Sequence, residues 1–258
     1  MHNIRNIAFA GSGNVAWHLA KGLRMQGFVI SGIWSRNYAN AKTLADSCDS
    51  VAIENITELG LNADLTIIAV PDKSIEEVAS AILGYKGIIV HTAGSVSMNV
   101  LKGKCEHYGV LYPLQTFSKE IPVSMAEVPF FIESSSAECG LALKEAVSKL
   151  SGRMYEADSH QRLLLHISAV FASNFSNLMY VIGNELLKSS DLPPEVLYPL
   201  IAETARKATT GDPLKLQTGP ARRNDTLTIE KHMAALASQP KYAEIYGLLS
   251  KLISNNYK

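Results

Sequence analysis

The chain has 258 residues, 47% hydrophobic and 19% charged, a globular mix that excludes disorder and leaves room for one large domain or two modest ones. Lysine plus arginine and aspartate plus glutamate both number 24, a zero net charge that argues against a nucleic-acid partner. No uninterrupted apolar run reaches the roughly 18 residues of a membrane span and no signal-peptide core opens the chain, so a cytoplasmic protein without membrane contact is expected.

In chain order, residues 7–10 form a short apolar strand that runs straight into glycine. Residues 14–26 carry helical spacing, with Val15, Leu19 and Leu23 at i, i+4 and i+8, and Gly27 ends that helix. Further apolar runs at 28–34, 65–70, 87–90 and 130–132 alternate with helical stretches. Continuous apolar strands of this kind predict a mostly parallel sheet covered on both faces, wound by right-handed crossovers. After about Asp158 no strand-like run recurs. A long apolar helical stretch over 159–188 is followed by a Pro193-Pro194 opening and by helices after Thr226 and Pro240. The expected fold is α/β, a doubly wound Rossmann-type sheet over 1–156 followed by an all-helical domain over 157–258. The three cysteines, Cys48, Cys105 and Cys139, are far apart and lack CxxC spacing, so neither a disulfide framework nor a metal site is expected.

The chemistry concentrates at strand ends. Gly11-Ser12-Gly13-Asn14-Val15-Ala16 matches G-x-G-x-x-A between the first strand and the first helix, the context that makes the pattern a dinucleotide site. Gly11 permits the tight turn, Gly13 permits close approach of a pyrophosphate, and Ala16 permits close helix–strand packing. A NAD site carries Asp or Glu at the end of the second strand, whereas this chain has Ser35-Arg36-Asn37. A hydroxyl and a guanidinium suit a 2′-phosphate, which favours NADP; a solvated surface arginine is the alternative. Val70-Pro71-Asp72 and His91-Thr92-Ala93-Gly94-Ser95 close the next strands, where ligands of open α/β sheets lie. Val70, Pro71, Asp72, Thr92 and Gly94 are read as bordering the cofactor. His91 is either a hydrogen-bonded structural histidine or a catalytic one. Ser95 either caps the next helix or faces substrate.

The long helix carries a polar stripe. At about 100° per residue His166, Ser173, Asn174, Asn177 and Asn184 share one face. Buried amides and an imidazole need partners, either across helices or a dimer, or in a substrate site. His166 and Asn174 are eight residues apart, about 12 Å along an α-helix, so they can flank a small substrate but not touch one atom; Asn184 lies too far along. In Gln217-Thr218-Gly219-Pro220-Ala221-Arg222-Arg223-Asn224-Asp225, Asp225 is placed to cap the next helix. Arg222 or Arg223 either clamps a substrate carboxylate or pairs locally with Asp225.

On these segments, with Tyr112-Pro113-Leu114-Gln115-Thr116-Phe117, the chain resembles the Rossmann-like proteins whose C-terminal half is the domain of unknown function numbered 2520. They are relatives of the deazaflavin-dependent NADP oxidoreductases and of pyrroline-5-carboxylate reductase. The resemblance implies an NADP-dependent reductase whose helical domain makes a homodimer, with one branch similar to an alternative ketopantoate reductase. It also implies a histidine where this chain has Tyr112. Related 3-hydroxyacid dehydrogenases use a lysine on the long helix, but residues 159–187 contain none, so His166 is the candidate proton donor and Asn174 the candidate orienting group. Ser95, Tyr112, Gln115, Asn177, Arg223 and Asp225 are the candidate substrate contacts. The expected activity is hydride transfer from NADPH to a small carbonyl compound, a branched 2-oxo acid such as ketopantoate being one case. The alternatives are an imine reductase and an NADP-binding regulator without activity.

Overall fold

The computed structural model of the chain describes residues 4–82 and 85–257; Met1, His2 and Asn3, expected to lead into the first strand, lie outside them. Among the described residues, eight strands build one sheet. They are β1 (Asn6–Ala10), β2 (Val29–Trp34), β3 (Ala52–Ile53), β4 (Leu65–Ile68), β5 (Ile88–His91), β6 (His107–Pro113), β7 (Phe130–Ser134) and β8 (Met154–Glu156). Their order is β3-β2-β1-β4-β5-β6-β7-β8, parallel throughout except for the antiparallel pair β6–β7. The mostly parallel, doubly wound sheet is therefore present, with the strand order reversing between β1 and β4.

Burial on both faces explains why the central strands read as apolar runs. In β1, Ile7 and Phe9 enter one core cluster while Ala8 and Ala10 enter the other. Each large side chain so buried contributes about 1.5–3 kcal/mol. Helix α1 (Asn14–Met25) packs Ala16, Leu19, Ala20 and Leu23 inward at helical spacing, and Gly27 takes a φ of 86° just beyond it, as a helix-terminating glycine does. Helices α2 (Tyr38–Asp46), α3 (Ile75–Ala81) and α4 (Ala137–Ser148) complete the layers. The strands not anticipated were β3, β6 and β8. β6 opens on His107 and contains Gly109, which breaks the apolar run; that glycine is needed because a Cβ there would lie 2.4 Å from the Glu133 carbonyl of β7.

From Ser159 the chain is helical: α5 (Ser159–Ala169), a π-helical turn (Val170–Phe175), α6 (Ser176–Leu187), α7 (Tyr198–Thr210), α8 (Pro213–Leu216), α9 (Thr226–Ala235) and α10 (Pro240–Asn255). Asp158 and Gln161 start α5 with a reciprocal capping box. Pro193-Pro194 opens a 3-10 turn (Pro194–Leu197) ahead of α7. The change from strand to helix thus falls beside the expected 156/157 boundary, but the chain divides into compact units later, Met1–Asn174 and Phe175–Lys258. The reason is local: the Arg162 side chain of α5 bonds to β7 and to the loop after β5, which keeps α5 with the sheet.

Candidate active site

The carboxyl ends of β1, β2, β4, β5 and β6 share one edge of the first unit, and the site grows from the turns that leave them. Gly11 has a φ of 119°, donates its N–H to the Trp34 carbonyl at 2.7 Å, and has no room for a side chain: a Cβ would sit 2.1 Å from the Ala69 carbonyl oxygen. Gly13 is the opposite case. A Cβ on it would meet nothing within 4 Å, so the space above the start of α1 is open. That helix has no side-chain cap and no acidic residue in its first turn, leaving its backbone N–H groups and positive dipole end for an anion. These features fit a dinucleotide pyrophosphate. At the end of β2, Ser35 Oγ accepts from Ser12 Oγ at 3.0 Å, and Arg36 donates to Ser74 Oγ at 2.6 Å. Asn37 turns away to cap α2, its side chain accepting from the Asn40 N–H. Val15 and Val70 pack against the core clusters, and Pro71 precedes the 3-10 turn Asp72–Ser74.

Around β5, His91 is fully buried and its Nδ1 accepts from the Ala93 N–H at 3.2 Å, while its Nε2 has no partner among the described residues. Of the two readings, this is the structural histidine. Burial, reinforced by the Arg162 charge, lowers its pKa from 6.5 to about 4. As pH falls, the unfolded chain therefore takes up that proton before the folded one. Stability should hold above about pH 6.5 and fall towards pH 4, by up to about 3 kcal/mol from this group. Denaturant unfolding across that range checks it, and His91→Asn should flatten the slope.

Ser95 Oγ donates to the Asp72 carboxylate, joining the loops after β4 and β5. The expected capping role falls instead to Ser97, whose hydroxyl accepts from the Asn99 N–H. Thr92 donates its N–H to the Ile68 carbonyl, which seats the loop between the two strand ends. Gly94 lies against α5: a Cβ would come within 2.9 Å of the His166 ring, so this glycine first makes room for the histidine.

Beside that contact a cavity of about 390 Å³ is lined by Tyr112, Gln115, Thr116, His166, Ser173 and Asn174 among others. Tyr112 Oη and His166 Nδ1 are 3.1 Å apart, with the two rings edge to face. Burial pushes the Tyr112 phenol up, which keeps it protonated. When the phenol donates to Nδ1, His166 holds its proton on Nε2. Ser173 and Asn174 come from the π-helical turn, a wider turn common at functional sites. Ser95 is not among the residues lining the cavity; Asn177, Arg223 and Asp225 belong to the second unit. There Asp225 spends both carboxylate oxygens on Thr228, capping α9, and Arg222 donates to the Gln217 carbonyl. Asn184 Oδ1 is buried without a partner among the described residues.

Residues 6–94 match the family described as NADP oxidoreductase, coenzyme F420-dependent, and residues 128–253 match the domain of unknown function DUF2520. The structure of a proposed NADP oxidoreductase from Bacteroides fragilis is 43% identical, covers 99% of this chain and 100% of its own, and superposes with a TM-score of 0.93. The chain belongs to this family of NADP oxidoreductases. Two more distant structures share the fold of the oxidoreductase. Reductive aminase from Aspergillus terreus, in complex with NADPH and ethyl-5-oxohexanoate, is 16% identical over 98% of this chain and 93% of that one, at a TM-score of 0.75. A pyrroline-5-carboxylate reductase from Coxiella burnetii is 17% identical over 98% and 99%, at 0.61. No curated protein matches the chain.

NADP is the cofactor of the family, and the open Gly13 cradle with Ser35 and Arg36 fits it. The residue that sequence reasoning missed in this oxidoreductase is Arg162. It is 1% exposed and donates to the Glu133 carboxylate, to the Val96 carbonyl at 2.6 Å and to the Ala93 carbonyl at 3.2 Å. Arg162 thereby fixes the loop that carries Gly94 one turn ahead of His166. An arginine four residues before a histidine in an apolar helix was the available signal.

Proposed function

We propose that the oxidoreductase reduces a small carbonyl compound in the cavity beside His166. NADPH, bound along the Gly11–Ala16 turn with its 2′-phosphate on Ser35 and Arg36, supplies the hydride. His166 Nε2 gives the proton that the reduced oxygen needs while its Nδ1 takes the proton of the Tyr112 phenol, so the ring stays neutral and the phenolate is reprotonated from solvent; Asn174 orients the substrate. The Tyr112–His166 hydrogen bond on the cavity wall carries this reading. The names of the relatives, reductive aminase and pyrroline-5-carboxylate reductase, support an imine as the second substrate class and lend ketopantoate no support. NADPH oxidation across neutral ketones, 2-oxo acids including ketopantoate, and cyclic imines is the test. Turnover of none, with NADPH bound, would make the protein an NADP-binding regulator.

NADPH should bind about 10–100-fold more tightly than NADH, the value of one or two charge-assisted hydrogen bonds to the 2′-phosphate. Arg36→Asp should reverse the order, and titration calorimetry reads both. Equal affinities in the unmodified protein would remove Ser35 and Arg36 from the site.

The proposal includes a homodimer made by the helical unit. Among its described residues only Ala221, Leu236 and Ser250 are buried, while Phe175, Leu178, Leu200, Leu227, Leu248 and Leu252 are exposed. Helices with so little core of their own need a covering surface, and a second copy supplies an equally apolar one. The helical stretch Ser159–Leu187 is long and apolar enough, by length and composition, to cross a membrane, which the uninterrupted-run criterion did not reveal. Its polar stripe favours protein over lipid as the cover. Light scattering should give a dimer at micromolar concentration without detergent; a folded monomer, or a protein that needs detergent, would overturn this. A cytoplasmic setting completes the proposal and suits the free thiols of Cys48, Cys105 and Cys139.

A further inference from the structure

The segment that follows β6 touches both halves of the site. Gln115 and Thr116 line the cavity, and the Gln115 side chain accepts from the Thr116 N–H at 2.8 Å, which shapes this wall locally. The next two residues reach α1. Asn14 donates its amide to the Phe117 carbonyl at 2.8 Å, and His18 Nε2 donates to the Ser118 carbonyl at 2.8 Å. The His18 ring also stacks on Phe117, with centroids 5.0 Å apart, and Lys119 lies over Trp17 at 5.3 Å. Asn14, Trp17 and His18 stand at i, i+3 and i+4, so one face of α1 holds the segment. Asn14 is also the first residue of the helix whose N-terminus is open to the cofactor phosphates.

We propose that Asn14 and His18 are positioning residues for the substrate cavity: they strap the 114–118 segment to the cofactor-binding helix, so that bound NADPH tightens the wall formed by Gln115 and Thr116. The proposal rests on the cofactor and cavity assignments above. The Asn14 side chain accordingly serves the strap, and only its backbone faces the phosphates. A bond from α1 to the strap has a cofactor-linked consequence because immobilising the start of α1 immobilises the groups that hold Phe117 and Ser118. A second ligand entering a wall already ordered by the first loses less entropy on binding. Cofactor would then bind before substrate.

Hydrogen exchange on the full-length protein, read by mass spectrometry with and without NADPH, tests the strap. NADPH should slow exchange of the 115–118 amides by about tenfold in the unmodified protein and in His18→Gln, whose amide can still donate to Ser118. In the double variant His18→Leu with Asn14→Ala that protection should be lost. With a substrate from the carbonyl and imine panel, His18→Leu should raise KM by about tenfold, the size of one hydrogen bond, and leave kcat within about twofold. NADPH that binds the unmodified protein without protecting 115–118 overturns the strap and leaves the cofactor reading intact. Equal protection in the double variant overturns it too. Failure of NADPH to bind at all overturns both.

Discussion

His166→Ala lowers kcat by about 10²–10⁴-fold, the usual size of a general acid–base contribution. The expectation rests on placement. The imidazole is wedged against Gly94, bonded to Tyr112 through Nδ1, and presented to the cavity that Asn174 also lines. NADPH affinity should barely change, because the pyrophosphate and 2′-phosphate contacts proposed above lie at the glycine turn and at Ser35 and Arg36, away from α5. Asn174→Ala should act differently, raising KM with less effect on kcat, as a contact shared by ground and transition states does. Tyr112→Phe tests the partnership, since it keeps the ring and removes the hydroxyl bonded to His166 Nδ1. Steady-state kinetics on an active substrate decides. Full turnover by His166→Ala would return that histidine to packing and move the proton to Tyr112, Ser95 or water.

Arg162→Met destabilises the protein by about 3–5 kcal/mol, the cost of leaving a buried charge without its partner. Glu133, 17% exposed, would keep a carboxylate facing the emptied position, and the carbonyls of Ala93 and Val96 would lose their donor. The double variant Arg162→Met with Glu133→Gln should recover most of the loss, because it removes the stranded charge along with the arginine. Urea unfolding of the two variants reads the difference. An Arg162→Met protein as stable as the unmodified one would show that solvent or rearrangement satisfies Glu133, and would end the argument that this pair holds the Gly94 loop against His166.

Much of the fold was legible because its signals are local. The turn at Gly11, the end of α1 at Gly27 and the central apolar strands each follow from sterics or from burial on both faces. The outer strands were harder. β6 begins with a histidine and carries Gly109, whose missing side chain answers to β7, some twenty residues away in sequence. In the site, His166, Asn174, Tyr112 and Gln115 were legible as candidates and do line one cavity. Asn177, Arg223 and Asp225 belong to the second unit, where Asp225 caps a helix.

The sequence by itself determined the dinucleotide turn, the missing acidic residue after β2, the parallel sheet and the change to helix near residue 158. All of these depend on neighbours a few residues apart. Only the tertiary structure decided that Arg162 is buried on Glu133, that Gly94 yields its space to His166, and that Asn14 holds Phe117. Each of these pairs residues far apart in the chain, where periodicity carries no information. The π-helical turn at Val170–Phe175 is local, yet it too was decided only by the structure. A projection at one fixed angle per residue assumes an unbroken α-helix, so it could not show how this wider turn carries Ser173 and Asn174 to the cavity wall.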